Sequence, residues 1–265
     1  MATNPLTPLT PRRVLAALGT VAVLVPLAAC GSDSGDGDEG GKGGKTELTV
    51  LGAASLTDVF QAAGKAYEKE HPGTKVKFSF AGSQELAAQV KQGVPADVLA
   101  TADTRTMDGL KGETGRPAVF AKNRLVIATG EGNPKHVKGL KDLADSKLKV
   151  VLAAPEVPVG RYGKQVLDAQ KLKVDPVSQE PNVRAVLSKV ELGEADAGLV
   201  YRTDAATAPK KVDAVDIPDS QNAIASYPAA PLKQSEHPKE AASFVKWLST
   251  PEAQKLLRKA GFQRP

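Results

Sequence analysis

An α/β fold built on mainly parallel sheet is what this sequence predicts, and three observations carry the expectation. From residue 47 onward, short apolar runs alternate with stretches whose apolar positions recur at helical spacing. The runs are bounded by glycine, proline or small polar residues, and no repeat of fixed period is visible. Apolar residues make up 41% of the chain and charged residues 25%, which suits a packed core under a solvated surface. Strands alternating with helices imply layered α/β domains, and 265 residues suffice for one or two of them.

The elements follow in order. Glu47 to Leu51 reads as a buried strand, and Leu56, Val59, Phe60, Ala63 and Tyr67 then fall on one face of a helix starting at Ser55. Lys75 to Phe80 alternates, with Val76, Phe78 and Phe80 on one face, as a half-buried strand does. A helix follows Ser83, with Leu86, Ala87 and Val90 inward, and Asp97 to Ala100 is a short strand. Arg124 to Thr129 and Leu148 to Ala153 are apolar strands, and a helix follows Gly160. Another helix begins near Asn182, with Val183, Val186, Leu187 and Val190 as its stripe. Ala197 to Tyr201 and Val212 to Ile217 are strands. Two helices close the chain, the first with Ala241, Phe244, Val245 and Leu248 inward, the second opened by Pro251, a residue suited to a first turn.

The first thirty residues read as an address rather than as fold. Arg12 and Arg13 form a basic stretch, and Val14 to Ala29 is an apolar run too short and proline-interrupted for a membrane span. The run ends in Leu27-Ala28-Ala29-Cys30, which resembles the bacterial lipobox. That resemblance implies a signal peptide over 1–29, cleavage before Cys30 and a lipid on Cys30, anchoring the chain to the outer face of a membrane. The paired arginines fit the twin-arginine motif only loosely, so the export route stays open. With one cysteine in the chain, no internal disulfide forms. Residues 31–46 hold Gly, Ser, Asp, Glu, Lys and Thr and no large apolar side chain, the composition of a flexible tether. Gly43-Gly44-Lys45-Thr46 mimics the end of a P-loop, but Glu39 stands where that motif needs glycine, and the segment precedes a strand instead of following one. The formal net charge of +5 drops to +3 without Arg12 and Arg13, and no aromatic–basic patch accompanies it, so a nucleic-acid partner is not expected.

Four helix starts carry small or polar residues: Ser55, Ser83 after Phe80-Ala81-Gly82, Val159-Gly160 after Val157-Pro158, and Val183 after Asn182. A helix start leaves backbone N–H groups without partners and carries the positive end of the macrodipole, so it seats anions. Glycine at 82 and 160 permits close backbone approach. Each start also has an ordinary reading; Ser55 with Asp58 is close to a capping box.

The segments Ala53-Ala54-Ser55-Leu56-Thr57, Phe80-Ala81-Gly82-Ser83, Pro95-Ala96-Asp97-Val98, Val157-Pro158-Val159-Gly160-Arg161-Tyr162, Asn182-Val183-Arg184 and Gly198-Leu199-Val200-Tyr201 run in order. Together they resemble the molybdate-binding proteins of bacterial ABC importers, over nearly all of residues 47–265. The resemblance implies a type II periplasmic-binding-protein fold: two α/β domains, 47–123 plus 226–265 and 124–225, joined by crossovers near Lys122–Arg124 and Tyr227–Pro228 and closing on the ligand. It further implies that molybdate is held by Ser55 and Ser83 through hydroxyl and backbone N–H, by the N–H groups of Val159 and Val183, and by the Tyr201 hydroxyl. Two departures stand out: Val159 replaces a common alanine, and Gly82 and Gln84 stand where better-known members have serines, with a bearing on selectivity. The implied partners are molybdate or tungstate, the importer's permease and ATPase, and the membrane through Cys30. A monomer is expected, with no cofactor beyond the oxyanion ligand.

Other residues have plainer readings. Tyr201 ends an apolar strand, where a tyrosine is usually core with its hydroxyl at the rim. Asp97 and Asp103 read as a strand start and a turn cap. His71, His136 and His237 are scattered loop residues, so no zinc-type cluster or other direct metal ligand set is expected. Trp247 reads as packing. A receptor for another tetrahedral oxyanion such as sulfate is the nearest alternative. A secreted enzyme using Ser55 or Ser83 as nucleophile is a more distant one, because no histidine lies near either serine in sequence and no Gly-x-Ser-x-Gly elbow exists.

Overall fold

The computed structural model describes residues 46–265. Its strands and helices are β1 (Thr46–Ala53), α1 (Thr57–Glu70), β2 (Thr74–Ala81), α2 (Ser83–Lys91), β3 (Val98–Ala100), α3 (Thr104–Asp108), β4 (Ala118–Gly130), β5 (Val150–Ala153), α4 (Pro158–Ala169), β6 (Ser178–Glu180), α5 (Val183–Glu191), β7 (Ala197–Tyr201), α6 (Arg202–Ala205), β8 (Val212–Asp216), β9 (Ile224–Pro231), α7 (Pro238–Trp247) and α8 (Pro251–Lys259). The signal segment, Cys30 and the tether up to Lys45 lie outside the described residues. Among the described residues no helix is long and apolar enough to cross a membrane.

Parallel pairing dominates each end of the sheet system, as alternating strands and helices require. β1 lies between β2 and β3, both parallel to it, and β5 lies between β6 and β7 in the same way. Antiparallel strands join the two ends. β9 sits between β3 and the first half of β4, and its register with β4 runs out at Arg124 opposite Ile224. From Leu125 onward the same strand pairs instead with β7 on one side and from Val126 with β8 on the other. β4 therefore belongs to both half-sheets, and the strand continues through the exchange of partners.

The helical stripes read from the sequence are the buried ones. Phe60 from α1 packs its ring against Phe78, Phe120 and Phe244, with centroids 5.7 to 6.3 Å apart. Trp247 is buried, and its Nε1 donates to Glu70 Oε2 at 2.9 Å. His71 is not a free loop residue: its ring stacks on Tyr67, with centroids 3.9 Å apart.

Several boundaries differ from expectation. The α-helix does not begin at Ser55; a 3-10 turn over Ala54–Leu56 intervenes and α1 starts at Thr57. No Ser55–Asp58 capping box forms, because the Ser55 hydroxyl points to Tyr227. α4 starts at Pro158, before Gly160, with proline at a first-turn position where no N–H is needed. β4 begins six residues before Arg124, and β6, β9, α3 and α6 have no counterpart in the sequence reading. β9 escaped notice because Tyr227-Pro228-Ala229-Ala230-Pro231 carries two prolines, which normally bar a segment from a central strand. The sheet accommodates Pro228 where the β4 register shifts between Val119 and Ala121, and the Pro228 carbonyl accepts from Thr101 N at 3.0 Å.

Candidate functional site

The short segments after β1, β2, β5 and β6 and the end of β7 converge on one cavity. Ser55, Ser83, Val159, Val183 and Tyr201 all border it, with Gly82, Ala102 and Asn182 among their neighbours. Its cavity volume is small, about 10 Å³. No lysine, arginine or carboxylate is part of its wall. A larger hollow of about 420 Å³ beside Lys164, Lys171 and Lys173 contains none of these five residues.

Each of the five residues offers a donor, for a local reason. The Ser83 Oγ accepts from Ala102 N at 3.0 Å, which leaves its hydrogen for the cavity. The Ser55 Oγ lies 2.9 Å from the Tyr227 hydroxyl. Tyr201 is buried to 1% exposure, yet its hydroxyl has no hydrogen-bond partner among the described residues. Burial, chiefly, holds this phenol well above its ordinary pKa, so it stays protonated and remains a donor. Val159 and Val183 bury their side chains in the core and contribute backbone. In α4 the Val157 carbonyl takes the N–H of Arg161, and in α5 the Asn182 carbonyl takes that of Val186 while its side chain caps Ala185 N. The amides of Val159 and Val183 come before these first intrahelical bonds and have no acceptor within their helices.

The glycines flagged by the sequence approach protein, not the cavity. A Cβ on Gly160 would lie 2.1 Å from the Ala154 carbonyl oxygen, so glycine is what lets the first turn of α4 sit on the end of β5. A Cβ on Gly82 would lie 2.6 Å from the Pro181 carbonyl oxygen. Gln84 spans the same gap, its Nε2 donating to Pro181 O at 2.7 Å.

Two arginines make further bridges. Arg161 Nε donates to Asp103 Oδ2 at 3.0 Å and its Nη2 to Thr106 Oγ1 at 2.8 Å, tying α4 to the start of α3. Asp103 also caps α3 as expected, accepting from Thr106 N at 3.0 Å. Arg184 donates to Asp58 Oδ2 on α1 and to Asp204 Oδ1 on α6, both at 2.7 Å. Asp204 is fully buried, and burial pushes its pKa up to about 6 against the opposing pull of Arg184. Sequence reasoning missed Tyr227, Asn123, Asp204 and the role of both arginines. One signal was available: Arg161 and Arg184 stand in first turns, where a cation opposes the helix dipole and calls for a nearby carboxylate.

A family model described as bacterial extracellular solute-binding protein matches residues 48–263, and the chain belongs to that family. More particularly, it is 39% identical to the molybdate-binding protein ModA of Mycobacterium tuberculosis over 221 residues, covering 82% of this chain and 85% of that protein. Among solved structures it is similar to the periplasmic molybdate-binding protein of Azotobacter vinelandii, with a TM-score of 0.70 and 23% identity, over 82% of this chain and 99% of that one. It is also similar to the sulfate-binding protein SubI of Mycobacterium tuberculosis, with a TM-score of 0.75 and 20% identity, over 83% and 87%. These two structural likenesses establish the fold: the half-sheets sharing β4 are those of the type II periplasmic-binding-protein fold. The same fold serves molybdate in one neighbour and sulfate in the other, so the anion has to be argued from the cavity.

Proposed function

We propose that this chain is an extracytoplasmic receptor that captures molybdate, and tungstate with it, and delivers the anion to the permease of an ABC importer driven by its ATPase. The observation that carries the reading is the wall itself: two serine hydroxyls, an unpartnered buried tyrosine hydroxyl and two helix-start amides around one small uncharged cavity. Ser55, Ser83, Val159, Val183 and Tyr201 are the proposed ligands. Neutral donors hold an anion in a desolvated site without a counter-charge, each charge-assisted hydrogen bond contributing roughly 1.5–3 kcal/mol. A wall of donors favours a fully deprotonated dianion, since a protonated one brings a hydrogen that finds no acceptor. Identity to a molybdate-binding relative supports the same choice of anion.

The lobes are proposed as 47–123 plus 226–265 and 124–225; the exchange of partners by β4 between Arg124 and Leu125, and its meeting with β9 at Ile224, fall within two residues of these bounds and support them. The chain is further proposed to be a lipoprotein: a signal peptide over 1–29, a lipid on Cys30 and a tether up to Thr46 place the receptor beside the permease.

Calorimetry of the protein against four anions tests the reading. Molybdate and tungstate are expected to bind with similar affinity. Sulfate is expected to bind at least about a hundredfold more weakly, being too small to meet every donor at ~2.7–3.1 Å at once. Phosphate is expected to be weaker still, because its proton leaves a polar group unpaired. Sulfate or phosphate competing with molybdate at equal concentration overturns the assignment.

A further inference from the structure

Tyr227 and Ser55 share a buried hydrogen bond whose direction their surroundings dictate, and Asn123 stands beside them. The Asn123 Oδ1 accepts the N–H of Arg124 at 2.9 Å, which fixes the orientation of its amide. Its Nδ2 donates to Thr203 Oγ1 at 2.8 Å, and Asn123 draws the Tyr227 pKa down against the larger effect of burial. An amide NH₂ donates and cannot accept. The Tyr227 hydroxyl is fully buried and away from the cavity, and the Ser55 Oγ, 2.9 Å away, is the acceptor the described residues provide for its hydrogen, whereas Ser55 borders the cavity and can send its own hydrogen there. Tyr227 is fully buried, and burial, its largest influence, holds the phenol well above its ordinary pKa, so that hydrogen is always present. With its oxygen occupied by Tyr227, Ser55 has its own hydrogen left for the cavity.

We infer that Tyr227 is a positioning residue that locks the Ser55 hydroxyl as a donor, and that this lock is what bars anions carrying a proton. The inference rests on the anion-receptor reading above and goes beyond it. Tyr227 lies 172 residues from Ser55 in the chain and borders no part of the cavity. It acts through the serine. Ser83 is set in the same sense by Ala102 N, and Tyr201 has no acceptor, so all three hydroxyls point the same way. Ser55 is the one whose orientation depends on a side chain that can be changed. Asn123 and Tyr227 stand on β4 and β9, the strands that join the half-sheets, so the lock is seated where those strands meet.

The test is Tyr227→Phe, which keeps the ring that packs edge-on against Phe120, Tyr201 and Phe262. Without the phenol hydrogen the Ser55 hydroxyl is free to turn and accept. Competition against bound molybdate is read with inorganic phosphate and with sulfate as probes. Phosphate is expected to gain on molybdate by roughly tenfold or more, the range in which an unpaired buried polar group counts, while sulfate, which has no proton, does not gain. A merely structural role would weaken all anions by one factor in this variant, and that result overturns the inference while leaving the receptor reading intact. A wild-type protein that fails to bind molybdate overturns both.

Discussion

Ser55 and Ser83 are the residues on which the proposed site most directly depends, and they differ in how they are held. Ser83 is oriented by a backbone amide, whereas Ser55 is oriented by a side chain from a distant strand. Ser55→Ala and Ser83→Ala are each expected to weaken molybdate binding by more than about tenfold, the loss of one hydrogen bond to a charged ligand. The stability of the ligand-free protein to thermal unfolding should also drop, by roughly 1–3 kcal/mol, since each hydroxyl accepts from a buried donor on another segment; calorimetry on the folded variants and a melting curve separate the two effects. Both serines were legible in the sequence, because a serine after a strand and before a helical stripe is a local pattern. Tyr227 was not. Its position depends on β9 lying between β3 and β4, a pairing between residues far apart in sequence.

The helix starts were legible for the same local reason, with small errors of boundary. The helix expected to begin near Asn182 does so, with Asn182 as its cap, while Pro158 moved the start of α4 forward by supplying a ready first turn. What no local pattern revealed was why glycine occupies 160. The reason is the carbonyl of Ala154, which belongs to the segment after β5. Gly160→Ala forces that turn away from the strand end, and the turn carries the Val159 amide. A loss of roughly 1–3 kcal/mol in stability is expected, as for other overpacked sites, together with weaker molybdate binding. Gly163→Ala, one turn further along α4, is the comparison. Its Cβ meets only a Leu199 methyl at 3.2 Å, and the gain in helix propensity offsets the crowding. Denaturation curves and calorimetry of the two variants should separate them; equal behaviour would remove the special standing of residue 160.

The fold class and the family were readable from one sequence, the first from alternating strand and helix patterns and the second from the resemblance of six ordered segments. The bridges between segments were not, since Arg184 meets Asp58 and Asp204 across 126 and 20 residues. The proposed lipid on Cys30 lies outside the described residues and calls for its own experiment. Cys30→Ser is expected to release or mislocalise the protein while leaving molybdate affinity unchanged, as read by fractionation and calorimetry. Unaltered protein found lipid-free in the culture supernatant, cut before Cys30, would count against the anchor. The position of β9 also sets a timetable for assembly. Residues 224–231 fill the gap between β3 and β4, and α7 and α8 come after them. A chain emerging from its amino end thus exposes β1 to β4 long before the strand that unites them exists. The segment from β5 to β8, whose partners are all made in succession, is free to associate first. The half-sheet that carries Ser55 and Ser83 is completed last, so a truncated or stalled chain has serines but no closed wall to present them.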